Sequence, residues 1–229
     1  MTVTLKNKRE AIILIKVLVV CDDLWHPAEV IKMGIDLIEG QDFHFDYVMT
    51  AKDILTPEYI AQYPVIICCK GNRVTAANPS PWFEDTVSEV NPAEFEDYIK
   101  NGGGFISLHS GNTAKEGSDM AALIGNVFRG HPLRCGVDVH VTADHPITAG
   151  VDKDFHIRDE HYAIDVLADD AVEFLRTSSE TGGDQPAGYT LEKGDGRLCV
   201  ITPGHVLAVF ADKNFQTLLG NAIKWCAKA

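Results

Sequence analysis

Three of the nine histidines in this 229-residue chain, His26, His109 and His205, each follow an apolar run that reads as a β-strand. Imidazole titrates near neutral pH and offers nitrogen lone pairs, so a converging set can act as acid, base or metal ligand. Any one of them alone is more readily a loop residue. Together, with Asp22, Asp23 and Trp25 ahead of His26, Lys70 behind another strand and Ser110 behind His109, they make a site the stronger reading. A carboxylate for the same site comes from Asp159-Glu160-His161-Tyr162. In extended chain, Glu160 and Tyr162 share one side while Asp159 and His161 share the other, so only one pair can face a given site. Beside histidines that carboxylate is a candidate general base or metal ligand; the alternative is a solvated acidic edge strand. His131 and Tyr189 are weaker candidates, and His140, His145 and His156 are read as surface residues.

The elements that must position these groups follow from patterning. Residues 12–20 are nearly all β-branched or Leu, as in a central strand covered on both faces. Pro27 and Glu29 open a helix that carries Ile31, Ile35 and Ile38 and stops at Gly40. Residues 43–48 alternate as a peripheral strand, Thr56-Pro57-Glu58 opens a short helix, and residues 65–69 form a second buried strand. Asn91-Pro92-Ala93-Glu94 starts a helix that ends at Gly102-Gly103-Gly104, and residues 105–108 then run into His109. Strands alternating with helices at this spacing imply a parallel, three-layer α/β sheet. Ligands bind beyond the carboxyl ends of such strands, where the three histidines fall. Past about residue 135 the pattern turns antiparallel, with a hairpin signal at Lys193-Gly194-Asp195-Gly196, a last core strand over 197–202 and a closing amphipathic helix over 214–227. With no repeat or linker, residues 1–229 are expected to form one domain. Residues 71–90, which include Trp82-Phe83, read as a long insert suited to a lid or an interface.

Bulk composition narrows the function. Against 20 Lys and Arg stand 33 Asp and Glu, a formal charge of −13 that disfavours nucleic acid and anionic membrane surfaces as partners. The apolar run near the N-terminus is too short to span a bilayer and poorly built as a signal peptide. Cys21, Cys68, Cys69, Cys135, Cys199 and Cys226 lack C-x-x-C spacing and read as buried thiols of a reduced, cytoplasmic protein. Gly102-Gly103-Gly104 precedes a strand, whereas a phosphate loop opens a helix, so no nucleotide cofactor is expected.

Residues 103–111, Gly130-His131-Pro132, Asp144-His145-Pro146-Ile147, Asp159-Glu160-His161-Tyr162 and Gly196-Arg197 leading to Pro203-Gly204-His205 form an ordered set. In order and spacing the chain resembles the ThuA-like, trehalose-utilisation family from about Ile12 to Ala227. That resemblance implies a flavodoxin-like, class I glutamine amidotransferase-like fold and a role in carbohydrate metabolism, on trehalose-type disaccharides or their 3-keto derivatives. The residues argue against glutaminase chemistry, which needs a cysteine at the strand-to-helix elbow and a histidine with a Glu two residues on. Here the elbow holds His109-Ser110, and His205 is followed by Val206-Leu207.

Two readings of function remain. In the first the chain is an enzyme: a ketone at C3 acidifies the adjacent C–H, a base removes that proton, and an electrophile holds the enolate, giving isomerisation or elimination. His109, Glu160 and His205 are its expected catalytic groups. His26, His109 and His205 are its expected ligands for a divalent metal, zinc first, with manganese or iron admitted by an added carboxylate. Asp23, Trp25, Lys70, Ser110, His131 and Tyr162 are expected to bind the sugar. In the second reading the site is a sugar-binding or regulatory pocket without turnover. A homo-oligomer is left open, symmetric dimers being the commonest soluble assembly.

Overall fold

A computed structural model describes residues 14–23, 25–40, 42–49, 54–71 and 92–229. The first half alternates strand and helix: β1 (Ile15–Val20), α1 (Ala28–Ile35) continued by a 3-10 turn, β2 (Phe43–Val48), α2 (Pro57–Ile60), β3 (Val65–Cys68), α3 (Pro92–Lys100) and β4 (Gly104–Leu108). A 3-10 turn over His109–Asn112 then leads to α4 (Asp119–Ile124). The second half is mostly strand: β5 (Asn126–Gly130), β6 (Cys135–Val141), β7 (Asp154–Asp159), β8 (Ala163–Val166), β9 (Val172–Ser179), β10 (Gly183–Lys193) and β11 (Gly196–Ile201). Two helices close the chain, α5 (Leu207–Phe210) and α6 (Lys213–Ala227).

Nine strands form one sheet in the order β2-β1-β3-β4-β11-β10-β9-β6-β7, and β5 pairs with β8 in a separate ribbon. The first five of the nine run parallel, and the remaining four extend the sheet antiparallel. The fold is therefore α/β with a parallel core and additional antiparallel strands, as the sequence pattern implies. The side chains of β1, β3, β4 and β11 are buried on both faces except at the start of β1 and at Arg197, which accounts for their unbroken apolar sequences. One face packs on α1 and α6 through Val17, Val19, Ile67, Ile106, Phe215 and Leu218. The other meets α3 and α4 through Leu18, Ile66, Phe95, Phe105 and Ile124.

Local chemistry sets the helix ends. Thr56 Oγ1 accepts the Tyr59 amide at α2, and Asp212 accepts the Asn214 and Phe215 amides at α6. The expected helix up to Gly40 tightens into its 3-10 turn after Ile35. The sequence pattern missed α4, which is only six residues long, although Ser118 caps it and Gly125 ends it in the left-handed conformation. All six cysteines are free thiols, and all but Cys135 are buried. Beyond Gly71, the insert lies outside the described residues, as does the start of the first apolar run.

Candidate functional site

The carboxyl ends of β1, β4 and β11 deliver His26, His109 and His205 to one place. Their ring centroids lie 4.9 Å (His26–His109), 5.1 Å (His26–His205) and 5.3 Å (His109–His205) apart. With Glu160, which follows β7, they offer four ligand atoms all within 4.8 Å of one another. Glu160 Oε2 is 3.3 Å from His205 Nδ1, 3.5 Å from His109 Nε2 and 3.6 Å from His131 Nε2.

Each histidine is aimed by a different device. His26 Nδ1 lies 2.7 Å from Asp23 Oδ1. Asp23 also accepts the backbone amides of Trp25, His26 and Gly71, tying the β1 loop to the end of β3. Burial pushes the Asp23 carboxyl up, but the His26 contact and these amides outweigh it and hold the group below the usual carboxylate range. It is thus an anion that takes its hydrogen bond from Nδ1–H. His109 has φ +46°, left-handed backbone uncommon outside glycine, and its Nδ1 lies 2.8 Å from the Thr202 carbonyl. A carbonyl can only accept, so Nδ1 carries the proton here as well. His205 is carried by Gly204, whose φ of +142° is strained for any other residue and whose Cα faces His109 so closely that an added Cβ would lie 3.2 Å from His109 Cβ.

With Nδ1 engaged in each ring, Nε2 of His26 and of His109 is the nitrogen left facing the cluster. Both atoms, together with His205 Nδ1, are buried without a hydrogen-bond partner. Burial pushes the His205 imidazole down to about 4; His109, His26 and Arg134 add to this and Glu160 opposes it, so the ring is neutral at pH 7. Burial pushes Glu160 up, but its contact with His109 and the nearby His205 and His131 rings outweigh that and hold it below the usual range. Imidazole nitrogens fixed by a carboxylate and a carbonyl, beside one carboxylate oxygen, suit a divalent metal such as zinc. Among the described residues no other group of three or more His, Cys, Asp or Glu converges in this way.

The remaining expected site residues separate into three groups. Tyr162 is buried and stacks on His109 at 4.2 Å, forming one wall. Trp25 precedes His26 in the chain and is 63% exposed; His131 stacks on Tyr162 at 5.4 Å and is partly exposed. Asp23, Lys70 and Ser110 have structural contacts instead of open polar atoms. Asp23 holds His26, the Lys70 ammonium donates to the Met49 carbonyl beyond β2, and the Ser110 hydroxyl donates to the Cys69 carbonyl. Asp22, the other acid of that loop, accepts the Ala28 amide at the start of α1. Glu160 and Tyr162 do share the site side, whereas His161 turns away to Ser179 and Thr177. Of the three histidines assigned to the surface, His156 is exposed, His140 bridges Asp154 and Ser178, and His145 caps a 3-10 turn and stacks on Phe174. Sequence reasoning missed Asp159, which is 1% exposed and accepts the Gly204 and His205 amides. Alternation pairs it with His161 on one side, but β7 ends at Asp159 and its carboxylate engages the 204–205 amides.

Fold and site together define an α/β domain with a parallel core in which the turn after β4 carries a histidine, part of a three-histidine, one-carboxylate cluster. Within that class the chain belongs to the ThuA family, described as trehalose utilisation, whose model matches residues 16–226. Solved structures agree on the fold. A ThuA-like protein from Bacteroides uniformis is 20% identical, with 96% of this chain and 94% of that one covered and a TM-score of 0.70. A glutamine amidotransferase from Thermotoga maritima is 11% identical over 96% of this chain and all (100%) of its own, with a TM-score of 0.64. A cytoplasmic protein from Salmonella typhimurium is 13% identical over 93% and 99% of the two chains, with a TM-score of 0.66. No curated protein matches the sequence. Among the described residues no helix is long and apolar enough to cross a membrane.

Proposed function

We propose that this trehalose-utilisation-type protein is a cytoplasmic keto-sugar isomerase or lyase that works with a divalent metal, zinc first. The observation that carries the reading is the convergence of three buried, unpartnered imidazole nitrogens on one carboxylate. His26, His109 and His205 would hold the ion. When bound, the metal supplies a Lewis acid for a sugar carbonyl.

Glu160 is the base. It is the one anion of the cluster whose oxygen faces the histidines without being committed to backbone amides, so it can take a proton from a C–H next to a ketone bound there. It takes the C2 proton, and the C–H electron pair becomes the C2–C3 double bond of the enolate. Returning the proton to C3, with a proton moving from the C2 hydroxyl to the C3 oxygen, gives the 2-keto isomer. Alternatively, the enolate electrons expel the C1 glycosidic oxygen, which leaves as an alcohol after taking up a proton. Trp25, exposed next to His26 in the chain, offers a flat apolar face for the C–H side of a sugar ring.

The test uses protein purified without chelator or nickel resin. Elemental analysis should find close to one equivalent of a transition metal; less than about a tenth of an equivalent would remove the ligand assignment. NMR of 3-keto-trehalose incubated with the protein should show a new product, lost in Glu160→Gln, His109→Ala and His205→Ala. Wild-type turnover in all three folded variants would refute the site. A wild type that binds the sugar without turnover would favour a non-catalytic binding module.

A further inference from the structure

Glu160 poses a geometric problem. Its strand, β7, is the outer edge of the sheet, four strands beyond β11. At about 4.8 Å per strand, a flat sheet would separate the two by roughly 19 Å. Yet Glu160 Oε2 stands 3.3 Å from His205, which follows β11. Twist brings the edge round, and α5, which begins two residues after His205, packs against β7. A specific fastening is still needed to fix an oxygen against three imidazoles.

We propose that Asp159 is that fastening, a positioning residue that sets both His205 and Glu160. It is the last residue of β7 and adjoins Glu160 in the chain. Its carboxylate is 1% exposed, and its Oδ2 accepts the Gly204 amide at 2.7 Å while its Oδ1 accepts the His205 amide at 3.1 Å. One buried side chain thereby joins the end of the antiparallel extension to the loop that carries a cluster histidine. A carboxylate suits this task because it is acceptor-only and can face two N–H groups at once, whereas an amide side chain would turn a donor toward one of them. The inference rests on the proposed function only for what the positioned groups do; the positioning itself is independent of metal and turnover.

The test compares Asp159→Asn with Asp212→Asn. Asp212 also accepts two backbone amides, but at the start of α6, so its variant controls for stability lost to a missing cap. Two quantities are read in folded protein: NOEs between the His205 ring and the His26 and His109 rings, and Co(II) affinity followed by visible absorption. In Asp159→Asn the inter-ring NOEs should weaken and Co(II) affinity should fall by about 10–100-fold, with neither changed in Asp212→Asn. Unchanged NOEs and affinity in Asp159→Asn would overturn the proposal and leave Asp159 a stability residue. Should wild type bind no Co(II), the metal reading fails and the NOEs alone decide for Asp159. Should Asp159→Asn not fold, Asp159→Glu decides by the same readings, because one added methylene must push the 204–205 loop away.

Discussion

Replacing Gly204 by Ala tests how the site is built at a single carbon. Gly204 has φ +142°, and a Cβ there would meet His109 Cβ at 3.2 Å and Leu108 Cδ1 at 3.5 Å. Backbone strain in this region costs on the order of 1–3 kcal/mol, and forcing a methyl into a packed site adds about 1–3 kcal/mol. Because His109 can yield by a few tenths of an ångström, we expect a combined loss of about 2–4 kcal/mol, toward the lower half of that sum. Gly40 supplies the comparison: its φ is +76° with no atom within 4 Å of an added Cβ, so Gly40→Ala should cost only the left-handed penalty of about 1–2 kcal/mol. In urea, the Gly204 variant should lose about 1 M in midpoint, and metal content and turnover should fall with it as the His109 ring moves. An equal loss in the two variants, with the Gly204→Ala site intact, would refute the claim that His109 is held against this backbone.

Three further outcomes follow from the same geometry. His205 titrates at about 4 when folded, against about 6.5 in an unfolded chain, so the unfolded chain binds a proton first and stability falls as pH drops between those values. Allowing for its 18% exposure, chelator-treated protein should lose about 2–3 kcal/mol from pH 7.5 to 4 in denaturant titrations; a flat profile would show that the ring is not desolvated. Asp23→Asn should weaken zinc binding by about 10–100-fold in competition titrations by removing the charge behind His26, and wild-type affinity would exclude that role. Ellman's reagent should modify Cys135 alone at once in native protein, since the other five thiols are buried; rapid reaction of a second thiol would contradict their burial.

Legibility differed between the two halves of the chain for a physical reason. Strands covered on both faces must be apolar throughout, and helices between them need a cap and a stripe, so 15–20, 65–68 and 104–108 were evident, as was the helix opened by Asn91-Pro92. Strand exits then identified His26, His109 and His205 without any knowledge of side-chain direction. Alternation also separated Glu160 from His161. Lys70 and Ser110 also came from strand exits, and residue type does not reveal that a nearby carbonyl, at Met49 or Cys69, will engage the polar atom. Asp159 was missed because its partners are backbone amides 45 and 46 residues away, and amides have no sequence signature. The curl that brings an edge strand to the centre is likewise a property of the whole sheet.

Buried nitrogen atoms without partners have a consequence for the life of the protein. A buried polar group left unsatisfied costs about 1–3 kcal/mol, and the cluster holds three such imidazole nitrogens, in a fold whose total stability is expected near 5–15 kcal/mol. A ligand that satisfies those atoms stabilises the chain by mass action, about 2.7 kcal/mol at a hundred times its dissociation constant. Cellular proteases act on the unfolded fraction, so the lifetime of the protein should lengthen when that ligand is plentiful and shorten when it is scarce. Abundance would then follow ligand supply with no dedicated sensor.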